Sequence, residues 1–248
     1  MAAQTDTRFT LFIVDVSTEK QPIKPPPELN VTVIPAPNRG YAHSVNLGLK
    51  QARNHFSQFC VINPDTVLSQ NFVAKVKTSL SAHPGAIIGG KIYYAIGYEY
   101  HRDRYRPADQ GKVIWYAGGT IDWNHALTPH RGVDTVDRGQ FDRFEPTGFV
   151  NGCLMCLDQS VINTVGYWDE SYFLYFEDSD YCERAKRKGV KLYYDPAIVI
   201  WHKNSQSTGG SGSTIHQKYQ ARNRLIFALK YAPLKTKLHL IRNLIWHR

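Results

Sequence analysis

The segment from Gly166 to Gly189, GYWDESYFLYFEDSDYCERAKRKG, constrains the fold most strongly, because it marks both the start and the end of one helix. Aromatic residues precede a helix that opens with Glu177 and Asp178 and ends at Gly189. Carboxylates in a first turn are favoured by the helix dipole, so capping alone explains part of the pattern. Neighbouring aromatic rings can also withdraw a carboxylate from water and raise its pKa towards that of a general base. The segment by itself therefore allows two interpretations, a capped helix and a reactive centre.

The same segment resembles the acceptor-side motif of family-2 inverting glycosyltransferases, GxFDExFFxYxEDxDxxxRxxxxG, and especially that of their rhamnosyltransferase-like branch. The resemblance implies an α/β fold of the GT-A type, related to the Rossmann fold, with a mostly parallel central sheet in a three-layer domain. It implies transfer of a sugar, rhamnose in the first place, from a nucleotide diphosphate sugar to a saccharide or lipid-linked saccharide in cell-surface polysaccharide synthesis. Asp178 would then be the general base, and Glu177 would orient it.

Two alternatives to this function stay open. The same fold serves enzymes that use another nucleotide sugar, such as one of glucose, galactofuranose or an amino sugar. A catalytically silent subunit that binds a carbohydrate or a nucleotide would belong to a different class. The residues without the resemblance indicate only a metal-dependent phosphate-ester site with one base.

Strand ends supply the candidates for the donor side of the site. A short apolar strand ends at Asp15, and a second strand runs directly into Asn63 and Asp65. Ligands of open α/β sheets bind at such carboxyl ends. By the resemblance, Asp15 contacts the nucleotide, Asn63 and Asp65 bind the donor, and Asp65 shares Mg²⁺ or Mn²⁺ with His202. Without it, Asp15 is equally well explained as a turn residue, and the structural explanation is the better one for Asp65, as a turn residue, and for His202, as a strand end.

Further segments resemble donor-binding parts of the family. A helix that follows a glycine turn offers an anion site in its first turn. A Gly/Ser-rich segment, 205–214, is expected to close over the donor, and the long loop 128–144 is expected to select the substrate. N-capping, bulge glycines and solvated arginines are the simpler explanations of the same residues. The nucleotide-sugar-binding candidates from these segments are Asn38, Arg39, Gly40, Asn46, Gly152 and Arg222.

Length and charge limit the domain organisation. With 248 residues, of which 42% are apolar, we expect one glycosyltransferase domain over 1–232 and a basic amphipathic helix over 233–248. From Arg184 onward there are fourteen Lys and Arg and one acid, a charge of +13, which leaves −4 on the preceding residues. An anionic partner is therefore expected at the C-terminal third, but no nucleic-acid-binding signature accompanies the charge. Without a signal peptide or an apolar span, a cytoplasmic location is expected, with possible contact to the inner face of the membrane.

The C-terminal segment, PLKTKLHLIRNLIWHR, shows the pattern of an amphipathic helix. Lys235, Lys237, Arg242 and Arg248 lie off its apolar face, so the helix could rest on an anionic membrane that carries a lipid-linked acceptor. Docking of the apolar face on the domain itself is the alternative. The apolar positions are Leu234, Leu238, Ile241 and Ile245.

One element of the family pattern is not present in this sequence. Family members have an apolar strand and a leucine-rich helix ahead of the strand that ends here at Asp15. That strand normally lies centrally, so we expect its two neighbours to keep unpaired edges. Weak donor binding and self-association through the open sheet, giving a homo-oligomer, are the expected consequences.

Overall fold

The computed structural model describes residues 1–18, 23–203 and 214–246. Among these residues, no helix is long and apolar enough to cross a bilayer. The elements follow in the order β1 Leu11–Asp15, β2 Val31–Pro35, α1 Tyr41–Ala52, β3 Gln58–Ile62, β4 Thr66–Leu68, α2 Phe72–Ala82, β5 Ile87–Tyr94, β6 Ile114–Tyr116, β7 Glu145–Pro146, β8 Leu154–Asp158, α3 Gln159–Val165, α4 Glu177–Arg187, β9 Leu192–His202, α5 Thr214–Tyr231 and α6 Leu234–Trp246.

Two helix starts show how local sequence sets these bounds. Asp158 caps α3, because its carboxylate accepts the backbone N–H groups of Ser160 and Val161. Gly40 precedes α1 with φ of 102°, and a Cβ atom there would lie 2.5 Å from the carbonyl oxygen of Phe173. Only glycine fits this position, so α1 is held against the loop that leads to α4.

The large sheet has the strand order β3-β8-β5-β9-β4, with β6 also paired to β5 and β7 to β9. β5 and β9 are parallel, whereas β8 is antiparallel to both of its neighbours. β3, β5 and β9 consequently run in the same direction, with β8 inserted between β3 and β5 in the opposite direction. The carboxyl ends of β3 and β9 therefore meet at one edge of the sheet.

This topology confirms the predicted GT-A-like α/β class and corrects one detail of it. The central sheet is mixed, and only β1–β2 and β5–β9 are parallel among the described strand pairs. The chain leaves β5 at its carboxyl end, and residues 95–153 bring it back to the sheet at that same end, so β8 runs antiparallel to β5. A parallel strand would require a crossover to the opposite end of the sheet, and residues 95–153 do not make one.

Two predicted strand assignments also differ from the structure. The sequence pattern predicts two strands over 190–194 and 197–202 with a turn at Asp195-Pro196, but β9 is one strand of 11 residues. Its register against β5 shifts between Gly90 and Lys91, so a bulge accommodates the interruption. The pattern also predicts a strand over 113–122, but β6 is shorter, because Gly118 with φ of 92° turns the chain.

β1 and β2 form a separate two-stranded parallel sheet. Within the described parts of the chain, β1 has no partner strand on the side away from β2, and β3 has none on the side away from β8. This agrees with the expectation of two unpaired edges. Helix α1 packs on β1 of the small sheet and on β3 of the large sheet, and so keeps the two sheets side by side.

Buried side chains of β5, β8 and the neighbouring helices form the main core. A second cluster joins the aromatic segment before α4 to α5, where Tyr172 and Phe176 pack against Phe227. Part of the aromatic run in the 166–189 segment is thus explained by packing. This packing holds the start of α4 in place from the side of α5.

Helix α6 docks on the domain through a narrow strip. The Thr236 hydroxyl donates to the carbonyl of Trp123 over 2.7 Å, and Leu240 packs on the cluster of Ala126, Ala228 and Ala232. Leu234, Leu238 and Ile241 have exposed fractions of 70%, 59% and 40%. The apolar face predicted from the sequence therefore points away from the domain. Ile245 and Arg248 lie outside the side chains that the structure describes.

Candidate active site

One continuous cavity of about 1360 Å³ runs from the open edges of β1 and β3 to the start of α4. It brings together six residues that the sequence indicated on four separate segments. Both proposed catalytic carboxylates and both proposed metal ligands are among them. These six are Asn63, Asp65, Gly152, Glu177, Asp178 and His202.

Asp178 is positioned by the backbone of the strand segment opposite α4. Its Oδ2 atom accepts the N–H of Gly152 over 2.9 Å, and its Oδ1 atom accepts the N–H and hydroxyl of Ser179. A Cβ atom on Gly152 would lie 3.3 Å from the Cβ of Asp178, so a larger residue would crowd the carboxylate. Burial raises the pKa of Asp178 above its ordinary value, against the lowering effect of these hydrogen bonds.

Glu177 is the more deeply buried member of the pair. Its Oε2 atom has no hydrogen-bond partner among the described residues. Burial, reinforced by the neighbouring charge of Asp178, raises the pKa of Glu177 well above its usual range. The pKa values of two adjacent buried carboxyl groups are coupled. The group that accepts more hydrogen bonds keeps the negative charge more readily. Of the two, Asp178 therefore holds the negative charge more readily, and Glu177 holds the proton more readily.

The turn that aims both groups has an unusual backbone. Tyr175 and Phe176 both adopt left-handed conformations, with φ of 68° and 69°. The buried amide of Asn223 on α5 donates to the carbonyls of Leu174 and Tyr175, over 2.8 and 3.0 Å. Two successive left-handed residues other than glycine are costly, so the hydrogen bonds from Asn223 hold the turn in this conformation.

The cavity wall also contains Asp65 and His202. The Nε2 atom of His202 lies 3.1 Å from Oδ1 of Asp65, and the ring is buried. The Nδ1 atom of His202 has no hydrogen-bond partner among the described residues. The same is true of Oδ1 of Asn63, two residues before Asp65. Buried polar atoms are normally paired. These unpaired atoms indicate a polar ligand on this side of the cavity.

The Asp65–His202 pair fits a divalent cation. Mg²⁺ takes octahedral ligands at about 2.0–2.1 Å, which places neighbouring ligands about 3 Å apart. The 3.1 Å between Oδ1 and Nε2 matches that spacing. Within the described residues, no cluster of three or more His, Cys, Asp or Glu could hold a metal. The chain would therefore supply two ligands, and oxygen atoms of the substrate would supply others.

Several residues that line or support the cavity could not be identified from the sequence. The His130 ring is held by the carbonyl of Trp115, 3.0 Å from Nδ1, and by the amide of Asn151, 3.1 Å from Nε2. Burial lowers the pKa of His130 to about 4, so the ring is neutral at physiological pH. The Tyr41 hydroxyl donates to the carbonyl of Gly152 over 2.8 Å. His130 lies within the 128–144 loop that is expected to select the substrate, but no pattern in the sequence distinguishes it from the rest of that loop.

The remaining predicted donor-binding residues do not line the cavity. Three have local structural contacts: Asp15 accepts from Ser17, Asn38 accepts the N–H of Gly40, and exposed Arg222 donates to the carbonyl of Ser171. The buried amide of Asn46 bonds to both backbone groups of Trp168 and to Glu170, so it fastens α1 to the 166–176 loop. The residues that do not line the cavity are Asp15, Asn38, Arg39, Gly40, Asn46 and Arg222.

Asp180, the third acidic residue at the start of α4, has a structural environment. Its fully buried carboxylate accepts from Arg184, and from Lys230 and Tyr231 on α5. The Tyr172 hydroxyl also lies 3.3 Å away. Asp180 thus fixes α4 to α5 and does not line the cavity.

The structure describes only one of the two segments that are expected to contact the substrates. The 128–144 loop is tied to the sheet by buried Lys91, whose ammonium group contacts Asp137 and Asp142, and by bridges such as Gly119 to His130. The Gly/Ser-rich segment that is expected to close over the donor lies outside the described residues, apart from Thr214.

The comparisons with known proteins place this geometry in a family. The family model described as "Glycosyltransferase like family 2" matches residues 19–226. A low-salt glycan biosynthesis hexosyltransferase, Agl10 of Haloferax volcanii, is 23% identical over 157 residues, which are 62% of this chain and 46% of that protein. An N-acetylglucosaminyl-diphospho-decaprenol L-rhamnosyltransferase of Mycobacterium tuberculosis is 34% identical over 64 residues, which are 26% of this chain and 21% of that protein. The chain thus spans less than half the length of these curated relatives.

Solved structures share the fold at low sequence identity. GalNAc-T7 with UDP, GalNAc and Mn²⁺ aligns with a TM-score of 0.54 and 15% identity, over 78% of this chain and 36% of that one. The mannosyltransferase PcManGT from Pyrobaculum calidifontis, in complex with GDP-Man and Mn²⁺, aligns with a TM-score of 0.52 and 15% identity, over 96% and 62%. The fold is therefore GT-A-like, and the chain belongs to the glycosyltransferase family 2 group.

Proposed function

We propose that this chain is an inverting glycosyltransferase that moves a sugar from a nucleotide diphosphate sugar to a hydroxyl of a saccharide or lipid-linked saccharide. One observation carries the proposal: a raised-pKa carboxylate, Asp178, shares a cavity with the Asp65–His202 pair. The short segment Gly152–Cys153 contacts both sides of the site. Gly152 donates to Asp178, and Cys153 accepts the N–H of Asn63, two residues before Asp65. The cavity thus combines a base with a site for a cation that would neutralise the phosphates of the donor.

Asp178 acts on the acceptor. Its carboxylate takes the proton of the acceptor hydroxyl while the hydroxyl oxygen forms a bond to the anomeric carbon. The bond from that carbon to the diphosphate oxygen breaks, and its electron pair leaves with the diphosphate. Attack opposite to the leaving group inverts the configuration. Neutral Glu177 keeps a second negative charge away from Asp178, so Asp178 stays a carboxylate.

Asp65 and His202 act on the donor. Mg²⁺ or Mn²⁺ bound there would neutralise charge that develops on the diphosphate. His202 is held by the pairing of β9 with β4, in which it lies opposite Thr66, next to Asp65. Strand pairing therefore preorganises the two ligands before any substrate arrives.

Rhamnose is the sugar that we favour, in cell-surface polysaccharide synthesis. The M. tuberculosis relative, named as an L-rhamnosyltransferase of a decaprenol-linked acceptor, supports both the sugar and a lipid-linked acceptor. The H. volcanii relative is named only as a hexosyltransferase, so glucose, galactofuranose and amino sugars remain the second choice. A silent subunit that only binds carbohydrate or nucleotide is the candidate from another class.

The test combines a donor panel with a matched pair of variants. Purified chain is incubated with nucleotide sugars, Mn²⁺ and lipid-linked or free saccharides, and product is measured by mass spectrometry. Asp178→Asn should lower kcat about a hundredfold or more with unchanged donor affinity, since it removes only the base. The control is Asp103→Asn, an exposed aspartate that is not part of the cavity lining. Full activity of Asp178→Asn would disprove the assignment, and donor binding without turnover for every sugar would favour the silent subunit.

We further propose that α6 rests on an anionic membrane. At about 100° per residue, Leu234, Leu238 and Ile241 lie on the side of the helix opposite Thr236 and Leu240, which dock on the domain. Lys235 and Arg242 flank the apolar strip on one side and Lys237 on the other. An exposed apolar strip between two basic margins is the pattern of a helix that lies in a lipid interface. A peripheral position at the inner membrane face would bring the site to a lipid-linked acceptor.

Vesicle sedimentation tests this contact. A triple variant, Leu234→Ser, Leu238→Ser and Ile241→Ser, should bind phosphatidylglycerol vesicles about tenfold or more weakly, because it removes the buried apolar area. Leu229→Ser is the matched control, since Leu229 is similarly exposed, at 44%, but lies on α5. Equal binding of the triple variant and the native chain would rule the membrane contact out.

A further inference from the structure

Two thiols face each other across the pairing of β3 with β8. Cys60 of β3 lies directly opposite Cys156 of β8, and their Sγ atoms are 3.3 Å apart. Both cysteines are free, although they lie in contact and 96 positions apart in the chain. The sheet therefore holds two reduced thiols side by side.

The strand pairing places these cysteines where a covalent bridge fits. In the same register, Asn63, three residues beyond Cys60, donates to the carbonyl of Cys153, three residues before Cys156. Hydrogen-bonded and non-hydrogen-bonded pairs alternate in an antiparallel ladder, so Cys60 and Cys156 form a non-hydrogen-bonded pair. The Cα atoms of such a pair are about 4.5 Å apart, within the range of about 4.4–6.8 Å that disulfides span. A bridge between the two thiols therefore needs no change of register.

The two thiols differ in how easily a reagent reaches them. Cys60 is half-buried and lines the large cavity, whereas Cys156 is completely buried. The hydrogen bond with Cys60, reinforced by burial, raises the pKa of the Cys156 thiol well above its usual range. Because the thiolate is the form that reacts with oxidants, we expect Cys60 to react first and Cys156 to react with Cys60.

The other two cysteines serve as internal references. Cys153 is only 3% exposed, and Cys182 is completely buried, with its Sγ atom donating to the carbonyl of Val150 over 3.4 Å. Among the described residues, only Cys60 and Cys156 have their thiols within hydrogen-bonding distance of each other. A reaction that requires an accessible thiol and an adjacent second thiol therefore selects this pair.

We propose that the Cys60–Cys156 pair is a redox modification site, at which hydrogen peroxide joins β3 to β8 through a reversible disulfide. The Cys60 thiolate attacks one oxygen of the peroxide, the O–O bond breaks, and Cys60 becomes a sulfenic acid while the other oxygen leaves as water. The Cys156 sulfur gives up its proton and attacks the Cys60 sulfur. The S–O bond breaks, and hydroxide leaves with that proton as a second water. Two thiols thus lose two electrons to one peroxide, and a dithiol reductant returns them.

The bridge acts on the wall of the cavity. β3 leads into Asn63 and Asp65, and Gly152, which donates to Asp178, lies just ahead of β8. A covalent link three residues from Asn63 holds these two segments together more firmly than hydrogen bonds alone. Because it joins distant parts of the chain, the link also removes conformational freedom from the unfolded state.

Peptide mapping of the full chain by mass spectrometry tests the site independently of any transferase activity. Native protein is treated with hydrogen peroxide, the remaining thiols are alkylated in denaturant, and fragment spectra locate the linked residues. A peptide pair joined through Cys60 and Cys156 should form and should disappear on reduction with dithiothreitol, with Cys153 and Cys182 alkylated in both samples. Before oxidation, alkylation of the folded chain should modify Cys60 about tenfold or more faster than Cys156.

A matched pair of variants separates the two roles. In Cys156→Ala, the sulfenic acid on Cys60 has no second thiol to react with, so its trapping by dimedone should rise about tenfold or more over the native chain. Cys60→Ala should give neither a sulfenic acid nor a bridge, because Cys156 is inaccessible. Cys182→Ser, which keeps a donor to the carbonyl of Val150, is the control and should form the bridge as the native chain does.

Urea unfolding measures the effect of the bridge on the domain. The oxidised native chain should unfold at a higher urea concentration than the reduced chain, and peroxide should cause no such shift in Cys156→Ala. Two outcomes would overturn the inference. One is that Cys60 and Cys156 stay reduced in the native chain at peroxide concentrations that oxidise free cysteine. The other is that Cys60 becomes linked to Cys153 or to a second chain instead of to Cys156.

Discussion

The Nε2 atom of His202 lies 3.1 Å from Oδ1 of Asp65, although 137 residues separate the two in the chain. Strand pairing brings them together. Thr66 of β4 lies opposite His202 of β9, and the N–H of Lys203 donates to the backbone carbonyl of Asp65. The distance is therefore a property of the sheet and does not require a metal to form.

The first prediction concerns this pair. Asp65→Ala and His202→Ala should each weaken Mn²⁺-dependent binding of a nucleoside diphosphate about tenfold or more, because each removes one ligand. Calorimetry with and without chelator measures the effect, and the double variant should be little worse than either single one. Asp103→Ala serves as the control. Binding that is insensitive to chelator in the native chain would contradict the metal assignment.

The second prediction concerns the pH dependence of turnover. Asp178 must be deprotonated to act as a base, and burial raises its pKa. Turnover should therefore be lost as the pH falls through that raised pKa, about tenfold per pH unit below it. Glu177→Gln should keep the same acidic limb, because glutamine resembles the neutral acid that Glu177 already is. A limb that moves to lower pH in Glu177→Gln would show that Glu177 carries a charge, because removing that charge lowers the pKa of Asp178.

The third prediction concerns Asn223 as a positioning residue. Asn223→Ala removes the two hydrogen bonds to Leu174 and Tyr175 that hold the left-handed turn. The expected cost is about 1–3 kcal/mol of unfolding free energy, with kcat lowered more than KM is changed. Arg224→Ala is the control on the same helix, since Arg224 donates to the carbonyl of His125 in another loop. An unchanged kcat with the full loss of stability would reduce Asn223 to a packing role.

The fourth prediction concerns stability and His130. Its pKa is lowered from 6.5 to about 4 in the folded chain, so the unfolded chain binds more protons between these values. Unfolding free energy should therefore decrease as the pH falls from 6.5 to 4, by about 1–3 kcal/mol from this residue. Urea titrations at pH 7 and 4.5 measure it, and His130→Gln should show a smaller decrease. An equal decrease in both proteins would assign the effect to other groups.

The sequence was most informative where one motif carried both structure and chemistry. The start of α4, the cap of α3 by Asp158 and the strand that ends before Asn63 could all be predicted from local patterns. Asp65 and Asp178 are proposed because the motifs that hold them resemble those of the family, whereas the local pattern alone favours a turn residue at Asp65 and allows simple capping at Asp178. The open edges of β1 and β3 followed from comparing the motif order with that of the family.

Other features depend on contacts that local patterns do not contain. The inserted antiparallel strand β8 results from how a long excursion re-enters the sheet. Asn46 looked like a ligand residue, but its amide is used by Trp168 and Glu170, which lie more than a hundred residues away. His130 became part of the site only through Trp115 and Asn151. Such long-range partners decide whether a polar residue faces a cavity or supports its wall.

Asp180 has a mechanical consequence for the molecule. It lies two residues after Asp178, and its carboxylate is bonded to Lys230 and Tyr231, just ahead of the start of α6. The end of α5, just ahead of α6, is thus joined to the first turn of α4 through one buried carboxylate. We therefore expect a tilt of α6 to be transmitted to α4, and with it to the hydrogen bond between Asp178 and Gly152.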